Sequence, residues 1–145
     1  MDDDEPELLD GIALYLAERG IVTYDPDGVE GDCFIESMPP RPGIAVVLTV
    51  YDDGREPDSL LAYDEPRMQV RVRGDADPRT SRRLCKRIRS ALHGLGPVTL
   101  PNGIELILSV CLQGAPASLG VDTNGRHEHV ANHRMEHRSI TAHRG

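Results

Sequence analysis

Five histidines, His127, His129, His133, His137 and His143, stand within the last 19 residues of this 145-residue chain, and imidazole is the side chain most ready to hold zinc near neutral pH. Spacing of i, i+2 on a strand or i, i+4 on a helix puts His127 with His129, or His133 with His137, on one face. No His-Glu-x-x-His motif and no Cys-x-x-Cys pair accompanies them. The pattern therefore predicts a polar strand rich in His and Arg, with neither metal nor cofactor. Cys33, Cys85 and Cys111 are odd in number, far apart and each beside an apolar residue, which predicts buried reduced thiols. The acid pairs Asp52-Asp53 and Asp64-Glu65 fall in turn-rich sequence where solvated carboxylates are the default. Asp52-Asp53-Gly54 also fails the calcium-loop rhythm, which would have to run through Arg55, Pro57 and Ser59. No Ser, Cys or Lys lies in a nucleophile motif and no glycine-rich phosphate loop is present, so no catalytic residue is predicted and the chain is not expected to be an enzyme.

The remaining chemistry is charge. Residues 1–66 hold 18 acids and 3 bases, a net of −15, whereas residues 67–145 hold 6 acids and 13 bases, a net of +7. Residues 67–73 alternate strictly, Met68, Val70 and Val72 to one side and Arg67, Gln69, Arg71 and Arg73 to the other, as a half-buried strand does. Asp77-Pro78 then opens a helix with Leu84, Ile88, Ala91 and Leu92 inward and Arg79, Arg82, Arg83, Lys86 and Arg89 outward, ended by His93-Gly94. A protein with two faces of opposite sign is suited to head-to-tail association. Arg71, Arg73, Arg79, Arg82, Arg83 and Lys86, together with Asp52 and Asp53, are therefore the candidate contacts with a neighbouring subunit or partner. The net charge of −8 counts against sequence-specific or generic nucleic-acid binding. One Phe, no Trp and four Tyr leave little for stacking on bases or sugars.

These residues need elements to hold them. The length and 39% apolar content fit one domain, expected over residues 1–140 with a frayed tail at 141–145. The first helix is expected to open with Asp4 or Glu5 near the N-cap and Pro6 at N1. It buries Leu8, Leu9, Ile12, Tyr15 and Leu16 and stops at Gly20. Strands are expected at 21–24, at 33–38 and, buried on both faces, at 43–51. Residues 52–66 are too polar for an element and form a long loop, expected to be ordered by a neighbour. A hairpin follows around Pro101-Asn102-Gly103, with positive φ expected at both turn positions and Ile104, Leu106, Leu108, Val110 and Leu112 on one buried face. Residues 114–120 read as loop and 126–140 as an edge-like strand. The order predicts an α+β fold, a mainly antiparallel sheet with two helices packed on one face. The acidic start does not resemble a secretory signal and the longest apolar run, 44–50, is too short for a bilayer, so no membrane association is expected and folding in a cytoplasm is.

Three stretches resemble the minor capsid and tail-terminator proteins of long-tailed bacteriophages. They are the opening helix Leu8-Leu9-Asp10-Gly11-Ile12, the Tyr51-Asp52-Asp53-Gly54 stretch after a strand, and Glu65-Pro66-Arg67-Met68-Gln69-Val70-Arg71-Val72-Arg73-Gly74 running into a helix. The closing segment 122–138 fits as well. The resemblance implies a structural virion protein without catalysis. It would form a ring of six copies on the head-proximal end of the tail tube, stop tube polymerisation and offer a surface to the head-completion protein. A head-tail connector or stopper is the alternative within that class, and a small His-rich metal-binding regulator the alternative outside it. His133 and His137 depart from the pattern, standing where an aromatic or apolar residue is expected.

Overall fold

The computed structural model describes residues 5–52 and 54–145. Helix α1 (Leu8–Glu18) forms because Leu8, Leu9, Ile12 and Leu16 recur at helical period and are all buried. It starts later than expected, with Glu7 at the N-cap and no side-chain hydrogen bond there. The burial of Leu8, rather than a cap, sets the start, and Asp4 lies outside the described residues. Gly20, at φ +72°, turns the chain so that the Ile21 N–H donates to the Leu16 carbonyl.

The strands are β1 (Cys33–Ile35), β2 (Ala45–Tyr51), β3 (Tyr63–Asp64), β4 (Arg67–Arg73), β5 (Val98–Thr99), β6 (Glu105–Cys111), β7 (Ala117–Val121) and β8 (His127–Arg138). They form one sheet in the order β1-β2-β4-β8-β6-β5, with β3 and β7 also paired to β8. Every strand pair except the parallel β1–β2 is antiparallel. Register aligns Val46 with Val72 and His129, Leu48 with Val70 and Ala131, and Met68 with His133. These residues share the face that α1 and α2 (Pro78–Leu92) cover, and one aliphatic core joins both helices to it. The fold is therefore α+β, with both helices on one face of a mostly antiparallel sheet.

Several expectations are corrected. Residues 21–24 contribute only a bridge at Tyr24. The strand expected at 33–38 ends at Ile35, because Glu36 sits at φ +60°. β2 is fully buried over Ala45–Leu48 only, and Val50 and Tyr51 reach solvent. A β-bulge between Leu106 and Leu108 breaks the alternation of β6, so Ser109 and Cys111 are buried while Leu108 and Val110 are only half-buried. In the hairpin turn Gly103 alone takes positive φ. Asn102 uses its amide instead to donate to the Glu7 carbonyl at 2.8 Å, tying the turn to α1.

The largest correction concerns the last strand. β8 is not an edge but the centre of the sheet, with β4 and β3 along one side and β7 and β6 along the other. Part of the segment taken as a 114–120 loop forms β7, exposed along its whole length and held by backbone pairing to β8. Its side chains carry no strand pattern because neither face packs on anything.

Candidate functional site

Helix α2 is built to present charge. Asp77 caps it, its Oδ1 accepting from the Arg79 N–H at 3.0 Å, and Pro78 follows with its missing donor where none is needed. Gly74 lets the helix sit close on the end of β4, since a Cβ there would stand 2.8 Å from the Ser81 nitrogen. Ser81 in turn places its Oγ 2.7 Å from His129 Nδ1 on β8. Ser81, Cys85, Ile88 and Leu92 face the sheet, so Arg79, Arg82, Arg83 and Lys86 are exposed as expected.

Arg87 is exposed beside them and was missed, although it lies four residues beyond Arg83 on the same helix face. Arg89, expected outward, is half-buried and donates to the Gln113 carbonyl at 3.1 Å. Arg79 pairs with its own cap, Nε to Asp77 Oδ1 at 3.1 Å. Among the described residues Arg82, Arg83, Lys86 and Arg87 make no ion pair or hydrogen bond with a side-chain partner.

Arg71 and Arg73 are not part of this row. Their side chains leave β4 on the sheet face opposite the helices, and Arg73 is only 5% exposed. Its guanidinium donates to the carbonyls of Gly43 at 2.9 Å, Pro39 at 2.8 Å and Pro42 at 2.6 Å, clamping the chain that enters β2. Arg71 is half-buried, its Nε 3.4 Å from Glu128 Oε1 on β8. Alternation placed both on the polar side of β4, but that side is itself partly covered.

The acidic counterpart is a cleft of about 800 Å³ at the far end of the sheet, where the 52–66 loop folds back toward the start of α1. Asp52, Glu56, Asp58, Asp64 and Glu65 line it, against Arg55 and His137. Asp53 lies outside the described residues. Glu65 is matched by Arg55 at 3.0 Å and Asp64 by Arg144 at 2.8 Å. Two N–H donors, from Leu60 at 2.8 Å and Leu61 at 2.7 Å, hold the Asp58 carboxylate below its ordinary pKa. Among the described residues Asp52 accepts from the Gly54 N–H alone, at 3.0 Å, and Glu56 is exposed. The cleft keeps a negative surplus.

This loop is tied within the chain, contrary to the expectation that a neighbour orders it. β3 pairs with the end of β8, and the Ser139 N–H donates to Ala62 O at 2.9 Å. Arg144 donates to the carbonyls of Leu61 and Tyr63 as well as to Asp64. Residues 141–145, expected to fray, thus include a side chain that fastens the acidic loop.

The basic face and the cleft lie toward opposite ends of β8. Ser81 meets His129, whereas His137 lines the cleft, and eight strand residues span roughly 26 Å.

The histidines do not converge on a centre. His129 is bonded to Ser81 and His137 Nδ1 lies 3.0 Å from the Arg138 carbonyl. His133 is fully buried in the core with both ring nitrogens unpartnered. It occupies an interior position, as an apolar residue would. Among the described residues no three His, Cys, Asp or Glu are grouped to hold a metal ion. No described helix is long and apolar enough to cross a membrane.

Comparison with known families bears out the family resemblance over the 51–54 stretch, the 65–74 stretch and nearly all of the closing segment 122–138, whereas Leu8-Leu9-Asp10-Gly11-Ile12 precede the matched region. Residues 15–137 match the family model described as bacteriophage tail terminator protein. No curated protein and no solved structure matches the chain.

Proposed function

The chain belongs to the bacteriophage tail terminator family, a structural component of phage tails, and on that premise we propose that it forms a ring of six copies capping the head-proximal end of the tail tube. The ring stops addition of tube subunits and presents a surface to the head-completion protein. The protein works by surface complementarity rather than catalysis. Its partners are copies of itself, the tail tube protein and the head-completion protein, assembled in the bacterial cytoplasm and retained in the virion.

The observation that supports this reading beyond the family is the charge layout. Among the described residues, four bases on α2 make no ion pair, and an acid-lined cleft lies apart from them toward the His137 end of the same sheet. Unlike surfaces on one subunit make a heterologous contact, which closes into a ring when its rotation permits.

The test is tube length. Purified tube protein polymerised with substoichiometric amounts of this chain should give short tubes, each carrying one ring at one end by negative stain. A phage lacking the chain should give over-long, headless tubes. Tubes of unaltered length carrying no ring would overturn the reading. Normal tubes that fail only to join heads would favour the connector or stopper role instead.

A further inference from the structure

We propose that the outer face of α2 in one copy, Arg82, Arg83, Lys86 and Arg87, seats in the acid-lined cleft of the next copy against Asp52, Glu56 and Asp58. The occupant of the cleft is thus a second copy of this chain. The inference rests on the ring reading above and specifies which two surfaces of consecutive subunits meet.

Three observations carry it. The four bases have no ion-pair partner among the described residues of their own chain, although they crowd two helical turns where they repel one another. Of the five cleft carboxylates, Asp64 and Glu65 are matched internally by Arg144 and Arg55. Asp52 and Glu56 have no described cationic partner, and Asp58 accepts two backbone N–H bonds and feels Arg144 only beyond hydrogen-bond range, so five carboxylates share two arginines there. The helix carrying the bases packs along β8 from His129 to about Asn132, whereas the cleft lies at the His137 end, so each copy offers a base-bearing surface at one place and an acid-lined one at another.

Apolar surface beside the cleft supports a macromolecular occupant rather than a small cation. Val50 and Tyr51 line the cleft and are 38% and 37% exposed. A neighbour seated on the cleft would cover them, and burying such side chains is favourable. Arg71 and Arg73 on β4 are engaged within the chain and do not extend the α2 row.

The test uses two charge-reversed full-length chains. One carries Arg82→Glu, Arg83→Glu, Lys86→Glu and Arg87→Glu; the other carries Asp52→Lys and Glu56→Lys. Each is checked for folding by thermal melting. If the fourfold reversal does not fold, the Gln versions at the same four positions replace it, with loss of assembly as the readout.

Native mass measurement should find wild-type rings at low salt that dissociate as salt rises. Each reversed chain alone should remain monomeric, with at least about tenfold weaker self-association. Mixing the two reversed chains should restore rings in which they alternate, because each then meets its complement at both ends.

Reversed α2 chains that assemble like wild type overturn the contact, as does a mixture that stays monomeric or a wild-type chain that remains monomeric both free and on tubes. Reversed chains that form normal rings but no longer attach to tubes also overturn it, and assign the α2 face to the tube protein. A wild-type chain that stays monomeric on tubes would also overturn the ring reading; the other outcomes leave it standing, and tube length tests it separately.

Discussion

Arg144 Nη2 stands 2.8 Å from Asp64 Oδ1, so the penultimate residue of the chain holds the loop that lines the acidic cleft. The same guanidinium reaches the carbonyls of Leu61 and Tyr63. Replacing Arg144 by Ala should release the loop without disturbing the core, because α1, α2 and the central strands take no part in the clasp. The expected result is several-fold faster proteolysis within residues 54–62, with little change in the thermal midpoint, since loops open locally at low cost. An unchanged cleavage rate would show that the β3–β8 pairing alone holds the loop. The clasp also has a pH dependence. Arg144 holds the Asp64 carboxyl below its ordinary pKa, so the contribution is present above the unfolded value near 3.8 and fades as pH falls below it.

Buried His133 gives a different pH signature. Burial, with Arg89 and His93 adding repulsion, pushes its pKa down to about 4 from 6.5. The unfolded chain therefore binds a proton over a range where the folded chain does not. Stability from this residue is full above about pH 6.5 and declines toward pH 4, by roughly 3 kcal/mol in all. Substituting Leu removes two unpartnered nitrogens from the core at similar volume. We expect His133→Leu to be neutral or stabilising by about 1–2 kcal/mol at pH 7 and to lose this part of the pH dependence. Urea titrations of both proteins between pH 4 and 7.5 measure it, and parallel stability curves would contradict the assignment.

Arg73 tests whether a base expected at an interface is a structural clamp. Its three carbonyl partners belong to the segment entering β2, and removing the guanidinium strands them without donors. Arg73→Ala should cost about 2–4 kcal/mol. Lys should recover only part of that, because a single ammonium cannot reproduce the planar fork. Denaturant midpoints give the answer. If Arg73→Ala keeps wild-type stability but loses self-association, the surface role stands instead.

Cys33 and Cys85 lie in the core, and burial pushes each thiol up to about 12. Thiolate is the reactive form, so both should be inert to a thiol reagent at pH 8 in the native protein and react fully in denaturant. Cys111 is also buried and donates its thiol to the Gln113 carbonyl, so access to it should be slow in the native protein on steric grounds alone. Rapid labelling of any of them under native conditions would mean that the core opens far more readily than its packing implies.

Local pattern fixed the parts of this protein that depend on neighbours in sequence. Helical periodicity and the Asp77-Pro78 start located α2 and exposed Arg79, Arg82, Arg83 and Lys86. Strict alternation assigned Met68, Val70 and Val72 to the core, and apolar neighbours marked the three cysteines as buried. Clustered acids in residues 52–66 foretold one side of the cleft, though not that a cleft existed.

Tertiary structure decided what those faces meet. Alternation says that Arg71 and Arg73 share a side of β4, but not that the proline segment 39–43 folds across that side and captures Arg73. A polar strand such as β8 reads as an edge, yet non-local backbone pairing drew it into the centre, where α2 buries His129 and His133 and the opposite face tolerates charge. One extra residue at the β6 bulge reversed which side chains point inward. Period and composition report the character of each face; which backbones pair across long separations, and therefore which face is covered, emerges only when the whole chain closes around a common core.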